Sequence, residues 1–306
     1  MIRRINAFTS IAVLGLLASL APCLRAQTNP NTGTQTVTPP ARTLGHVDKA
    51  DIPKEQKKAP PKADKSAAPT AEGVAEAVIF ATAPSINARA VLKQIRHNGV
   101  EHGQLTRTTA DGRIEEVTYD QRFVHGDTTA KDKIRIDQKT PASEYALVYN
   151  EGQVWGIING TAFAPRQETA ASFLSQNRHA LEALLRYKED GSTVTFVNKD
   201  KQKNIDLYII DLTDKDKNTT RFYVSAKTWH VLALEYEETP PGADKPIKYR
   251  RTFHNYRYVQ NTLVPYRTVL YADDKQTEET RVLTITYGIR MDDTFFQNPQ
   301  AAASGQ

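Results

Sequence analysis

Seven histidines, adjacent carboxylates such as Glu115-Glu116 and Asp292-Asp293, and one cysteine are the residues of this 306-residue chain whose types could carry catalysis or hold a metal. The histidines are scattered: His46, His97, His102, His125, His179, His230 and His254. His97 and His102 stand five apart across an expected helix end, with no carboxylate at ligand spacing, so an exposed loop pair is the simpler reading. Glu115-Glu116 lie on an expected strand, where neighbours point to opposite faces and cannot act together. Asp292-Asp293 read as solvated surface acids. Paired carboxylates for glycoside cleavage would have to come from separate strands. The HExxH, glycine-rich phosphate-loop and GxSxG patterns are missing. A cluster of His254, Tyr256 and a carboxylate in one cleft is what an enzyme reading would need. The expectation is therefore a protein without a catalytic centre, metal site or cofactor.

Cys23 is the only cysteine, and it lies in the leader MIRRINAFTSIAVLGLLASLAPCLRAQ. Arg3 and Arg4 precede an almost wholly apolar run, Ile11 to Ala21, and polar sequence follows. This is the layout of a secretory signal peptide, here 1–26 with cleavage after Ala26. The run falls short of the roughly 20 apolar residues that span a membrane. Cleavage there leaves no cysteine and no disulfide, so burial must stabilise the fold. A second course is open. Leu20-Ala21-Pro22-Cys23 resembles a bacterial lipobox, departing from it at Pro22, and would make Cys23 an acylated first residue.

The formal charge of +5 is carried outside the expected fold. Residues 27–72 hold seven Lys/Arg against five Asp/Glu, and residues 73–306 hold 30 of each sign. A neutral domain lacks the basic excess that binds nucleic acid. The stretch 250–271 contains five aromatics and four arginines. Strand alternation spreads these aromatics over both faces, whereas single-stranded nucleic acid needs them on one exposed face beside the cations. A hairpin turning at Gln260-Asn261 accounts for this stretch better.

Residues 27–72 contain seven prolines, and no aromatic occurs between Phe8 and Phe80. Such a segment buries too little apolar surface to offset the entropy of ordering, which predicts a disordered leader. The domain is expected over 73–299, with a tail at 300–306. PSINARAVLKQIRHNG predicts a short helix with Ser85 as N-cap and Gly99 as stop. Strand-like runs follow, with hairpin turns at Asp111-Gly112, Asn150-Glu151-Gly152 and Asn159-Gly160. QETAASFLSQNRHALEALLRY predicts one long amphipathic helix over 167–187, with Phe173, Leu174, Leu181, Leu184 and Leu185 on one side. Seven further strand runs reach Ile289. In VLALEYEE, Leu232, Leu234 and Tyr236 share a face. In RVLTITYGI, Leu283, Ile285, Tyr287 and Ile289 share one, with Thr284 and Thr286 opposite. In IKYRRTFHNYRYV, His254 and Tyr256 share a face. Half-buried antiparallel strands joined by short turns imply a mainly β fold, a large curved sheet or half-barrel with the long helix packed on its concave face.

The C-terminal region also carries a resemblance. Phe222-Tyr223-Val224, the turn Ala226-Lys227-Thr228 and Val231-Leu232-Ala233-Leu234-Glu235 are followed by Tyr256-Arg257-Tyr258-Val259, then Leu263-Val264-Pro265, then Asp292-Asp293-Thr294-Phe295-Phe296 and Pro299. In order and spacing this resembles the outer-membrane lipoprotein-sorting protein family, the LolA/LolB-like half-barrels. The sequence departs from that pattern at Trp229 and Asn261, where the family often has glycine. The resemblance implies a curved sheet whose helix-covered concave face holds lipoprotein acyl chains. The expected cavity residues are Trp155, Ile157, Phe173, Leu181, Leu184, Phe196, Leu232, Leu234, Leu283 and Ile285, each of which could equally be core packing. The carrier reading requires unfilled space between sheet and helix. It places the protein in the periplasm or on the periplasmic face of the outer membrane, attached peripherally, with lipid or lipoprotein acyl chains as ligand. The alternative is an envelope interaction module, tethered by its leader and presenting its sheet to a protein partner.

Overall fold

The computed structural model describes residues 69–109 and 111–300. The expected signal peptide, most of the expected leader, Cys23 and residues 301–306 lie outside the described residues. Thirteen strands form one antiparallel sheet: β1 (Asn98–Thr108), β2 (Ile114–Val124), β3 (Lys133–Lys139), β4 (Glu144–Asn150), β5 (Gln153–Ile158), β6 (Thr161–Phe163), β7 (Thr193–Gln202), β8 (Ile205–Thr213), β9 (Thr219–Ser225), β10 (Val231–Glu238), β11 (Ile247–Val259), β12 (Thr262–Ala272) and β13 (Lys275–Tyr287). The spatial order is β6-β5-β4-β3-β2-β1-β13-β12-β11-β10-β9-β8-β7. The fold is mainly β, and the sheet is curved and unclosed.

Two connections set the architecture. Pairing of β1 with β13 joins the first strand to the last. Strands β6 and β7 are consecutive in sequence but lie at opposite edges of the sheet. The chain between Phe163 and Thr193 must therefore cross a whole face. The two helices α3 (Gln167–Arg178) and α4 (Leu181–Leu185) form in that crossing. The remaining helices, α1 (Ala71–Thr82) and α2 (Ala88–Ile95), precede the sheet.

Five of the twelve strand connections are only two residues long. Both central residues have positive φ at Glu151-Gly152, Asn159-Gly160, Lys203-Asn204, Gln260-Asn261 and Asp273-Asp274. That backbone twist matches the twist of the strands it joins. Asn and Asp tolerate the conformation, and each glycine-free pair has one of them at its second position: Asn204, Asn261 and Asp274.

The helical expectations are corrected in three places. The helix expected over 167–187 is two helices, with Ala180 extended between them (φ −92, ψ 164). His179 causes the break. Its ring is buried, with Nδ1 2.6 Å from the Thr220 hydroxyl, Nε2 3.0 Å from Glu238 Oε1 and the Tyr236 ring stacked at 3.9 Å. The strands hold this side chain, and a continuous helix would carry it away from them. Helix α1 was not foreseen. It is capped by the Thr70 hydroxyl, which accepts from Gly73 N at 3.0 Å, and buries Val74, Ala75, Val78 and Ile79. The third correction is at Gly99, which does not stop a helix but lies inside β1.

The core divides along the sheet. Helices α1, α2 and α4 bury Ile79, Leu92 and Leu184 against Ile210, Phe222, Val224, Leu234 and Phe253. Helix α3 places Phe173 near Phe123, Ile134, Leu147, Val264 and Ile285. On the other face, Leu207, Ile209, Tyr223 and Ala233 form one cluster, and Val148, Trp155, Ala162 and Phe296 another. This outer face also carries ion pairs between neighbouring strands: Asp211–Arg221, Glu235–Arg250 and Glu279–Arg267 at 2.8–3.1 Å. They lie on the polar side of the alternating strands.

Glycines stand directly opposite aromatic residues at three places in the sheet: Gly99 and Phe123, Gly103 and Tyr119, Gly156 and Phe163. The ring lies over the bare glycine backbone, which restores packing that a glycine in a strand forfeits. A methyl group at residue 103 would overlap the Tyr119 ring. Gly103→Ala is expected to destabilise the protein by about 1–3 kcal/mol through overpacking, measured by denaturant unfolding; an unchanged midpoint would refute it.

Candidate functional site

A cavity of about 540 Å³ lies between the concave face of the sheet and the α3–α4 crossing. Its apolar surface comes from Phe123, Ile134, Val264, Val282, Ile285 and Tyr287 on the sheet and from Leu174 and Leu181 on the helices. The volume falls within the range of small-molecule sites, about 300–1,000 Å³. The unfilled space required by the carrier reading is present.

The ten residues expected to line it are dispersed. Leu181 and Ile285 reach the cavity wall. Phe173, Leu184, Phe196 and Leu234 face the helices but pack into the core clusters. Trp155 and Ile157 pack with Val148 and Phe296 on the opposite face. Leu232 joins that face too, against Leu207 and Tyr223. Leu283 is 56% exposed. The last two have a common cause. Register shifts fall between Val231 and Ala233 and opposite the His102/Gly103 step, leaving Leu232 and Leu283 as the extra residue of a β-bulge. A bulge shifts the two-residue alternation, so Val282 rather than Leu283 reaches the cavity. The alternation also changes at Asn255, which takes φ 54 with no shift in the β11–β12 register. Tyr256 there turns to the helix side, and its hydroxyl donates to the Val231 carbonyl at 2.6 Å. His254 instead contacts the Thr252 hydroxyl, so the His254–Tyr256 cluster does not form.

Charged groups hold the crossing onto the sheet. Arg96, just past α2, is buried and donates from Nη1 to Glu182 Oε1 at 2.6 Å and from Nη2 to the Leu263 carbonyl at 2.7 Å. Its guanidinium lies 5.6 Å from the Tyr287 ring centroid. Arg186 donates to Asp132 at 2.7 Å and to the Gly126 carbonyl at 2.8 Å, and His125 is 2.9 Å from the same Asp132 carboxylate. Burial pushes the Glu182 carboxyl up, but Arg96, His125 and Arg186 outweigh it and hold the group below its usual range. Burial pushes the Tyr287 hydroxyl up to about 12.

Glu101 behaves differently. It lies on β1 beside Ile285, in the cavity wall, and accepts a hydrogen bond from the Tyr119 hydroxyl at 2.7 Å. Burial raises its pKa, and the Tyr119 hydrogen bond only partly opposes this. A carboxyl raised in the native state keeps its proton where the unfolded chain has lost it. Its contribution to stability is therefore fullest in acid and declines as pH rises through the native value.

The sequence reading missed Arg96, Glu101, Glu182, Asp132 and Arg186. One signal was available for Glu101: it has the same strand parity as Leu105, whose side chain is buried. The others come together from separate elements and have no local signature.

No family model matches the sequence, and no curated protein matches it. Solved structures match by shape. A DUF1329-family protein from Desulfovibrio piger ATCC 29098 aligns with a TM-score of 0.54 at 10% identity, over 76% of this chain and 99% of that one. A LolA-superfamily protein from Nitrosomonas europaea gives a TM-score of 0.50 at 10% identity, over 75% of this chain and 98% of that one. An outer membrane lipoprotein-sorting protein domain from Vibrio parahaemolyticus gives 0.48 at 10% identity, over 73% and 97%. The chain thus shares the LolA-superfamily fold that the C-terminal resemblance implied.

Proposed function

We propose that this chain is an exported bacterial envelope protein that carries or receives lipids or lipoproteins, holding acyl chains between its curved sheet and the α3–α4 crossing. The observation that carries this reading is the 540 Å³ cavity on the concave face, floored by Phe123, Val264, Val282 and Ile285. Each methylene buried there is favourable by about 0.8 kcal/mol, so an apolar space of this size retains a chain without covalent chemistry. The fold shared with the LolA-superfamily protein of Nitrosomonas europaea agrees with this reading. Among the described residues no helix is long and apolar enough to cross a membrane. The leader ahead of the domain would serve as signal and tether, with the protein working in the periplasm or at the periplasmic face of the outer membrane.

Native mass spectrometry tests the proposal. The protein is purified from bacterial membranes without harsh detergent, and bound material is extracted with organic solvent. A co-purifying lipid or lipidated peptide is expected. A bare protein that also fails to take up a fluorescent acyl probe would overturn the carrier reading in favour of a non-catalytic envelope interaction module.

A further inference from the structure

The cavity is apolar at its floor but not neutral at its walls. Six carboxylates line it against three cationic side chains. Two of those cations are already engaged: Arg96 by Glu182 at 2.6 Å and Arg178 by Glu238 at 3.0 Å. The third, Lys215, is exposed. Most of the acids are also held within the protein. Asp132 is bound by Arg186, Glu182 by Arg96, and Asp190 accepts from the Thr129 amide at 2.7 Å.

Glu101 is the exception in the sheet wall. Its one hydrogen bond comes from the Tyr119 hydroxyl to Oε1, and among the described residues it forms no ion pair. The second carboxylate oxygen has no protein donor. Its cross-strand neighbours Ile285 and Gln121 line the same space, as do Val282 and Tyr287. Glu101 has no cationic partner among the described residues, so a cationic ligand head beside it would favour the ionised carboxylate over the protonated one and donate to its second oxygen.

We infer that the cavity takes an amphiphile with a primary ammonium head, which binds Glu101 while the tail covers the apolar floor. This deepens the carrier reading and rests on it. An ammonium offers three donors and one positive charge. It satisfies the free oxygen of Glu101 and offsets the acidic excess of the walls. A carboxylate head would meet that same excess as repulsion, and a hydroxyl head would supply a donor without the charge.

The test uses the full chain and displacement of a fluorescent acyl probe by dodecylamine, dodecanol and dodecanoate, which share a tail length. Dodecylamine is expected to displace the probe at roughly tenfold lower concentration than dodecanol, as a charge-assisted hydrogen bond would give, with dodecanoate weakest. Glu101→Gln, which keeps an acceptor oxygen but loses the charge, should bring dodecylamine down to the level of dodecanol. Tyr119→Phe removes the competing donor and should keep or enlarge that advantage, which guards against a folding defect in one variant. Equal displacement by amine and alcohol, or an amine advantage that survives in Glu101→Gln, overturns the assignment while leaving the carrier reading intact. Failure of the probe itself to bind overturns both.

Discussion

Glu182→Leu lowers the stability of the protein by about 3–5 kcal/mol, because it leaves the Arg96 guanidinium charged and buried without its carboxylate. Arg96 is only 5% exposed, and Glu182 stands 2.6 Å away. The remaining partners of Arg96 are the Leu263 carbonyl and the Thr262 hydroxyl, which supply hydrogen bonds but no charge. For a domain of this size the melting temperature should fall by about 10 °C. The double variant Arg96→Leu/Glu182→Leu should recover a large part of the loss, since replacing both charges removes the uncompensated one. Thermal and denaturant unfolding of the three variants decide the matter. A Glu182→Leu protein as stable as the parent would mean that water reaches Arg96 and that the pair is not a buried one.

Thr280→Trp fills the cavity and reduces uptake of an acyl probe by roughly tenfold or more, while the protein remains folded. Thr280 lies on β13 in the cavity wall, directly opposite Thr268 on β12, another wall residue. Neither side chain belongs to a core cluster. The indole therefore occupies space that the tail of a ligand would use, and excluding two or three methylenes at about 0.8 kcal/mol each accounts for the loss. Thr284→Trp is the control. It sits on the same strand beyond the bulge, is exposed and does not line the cavity. Unfolding midpoints establish that both variants fold, and probe titration separates them. Equal uptake by Thr280→Trp and the parent would place the acyl chain elsewhere.

The two positions differ in how far their surroundings could be read from sequence. The strand carrying Thr280 was recognisable from the alternation around Ile285 and Tyr287, and both of those residues are buried as expected. The position of Leu283 on the same strand was not, because the bulge depends on the pairing with β1. The Arg96–Glu182 pair had no sequence signal at all: 86 residues separate its members. The stripe on 167–187 was legible as a helix packed by one side. The break at His179 was not, since Thr220, Tyr236 and Glu238 are strand residues brought there by the fold.

By itself the sequence determined the local grammar of this protein. Two-residue alternation specified strands, Asn, Asp and Gly pairs specified tight turns, and the stripe around Phe173 and Leu184 specified a helical segment facing the sheet. These follow from backbone geometry and side-chain spacing within a few residues. Only the tertiary structure decided which face is concave, where bulges at Leu232 and Leu283 reverse the alternation, and that the β6-to-β7 connection crosses the whole sheet. The cavity and its isolated Glu101 belong to the same class. A void is what packing leaves unfilled between distant segments, and no short stretch of residues encodes it.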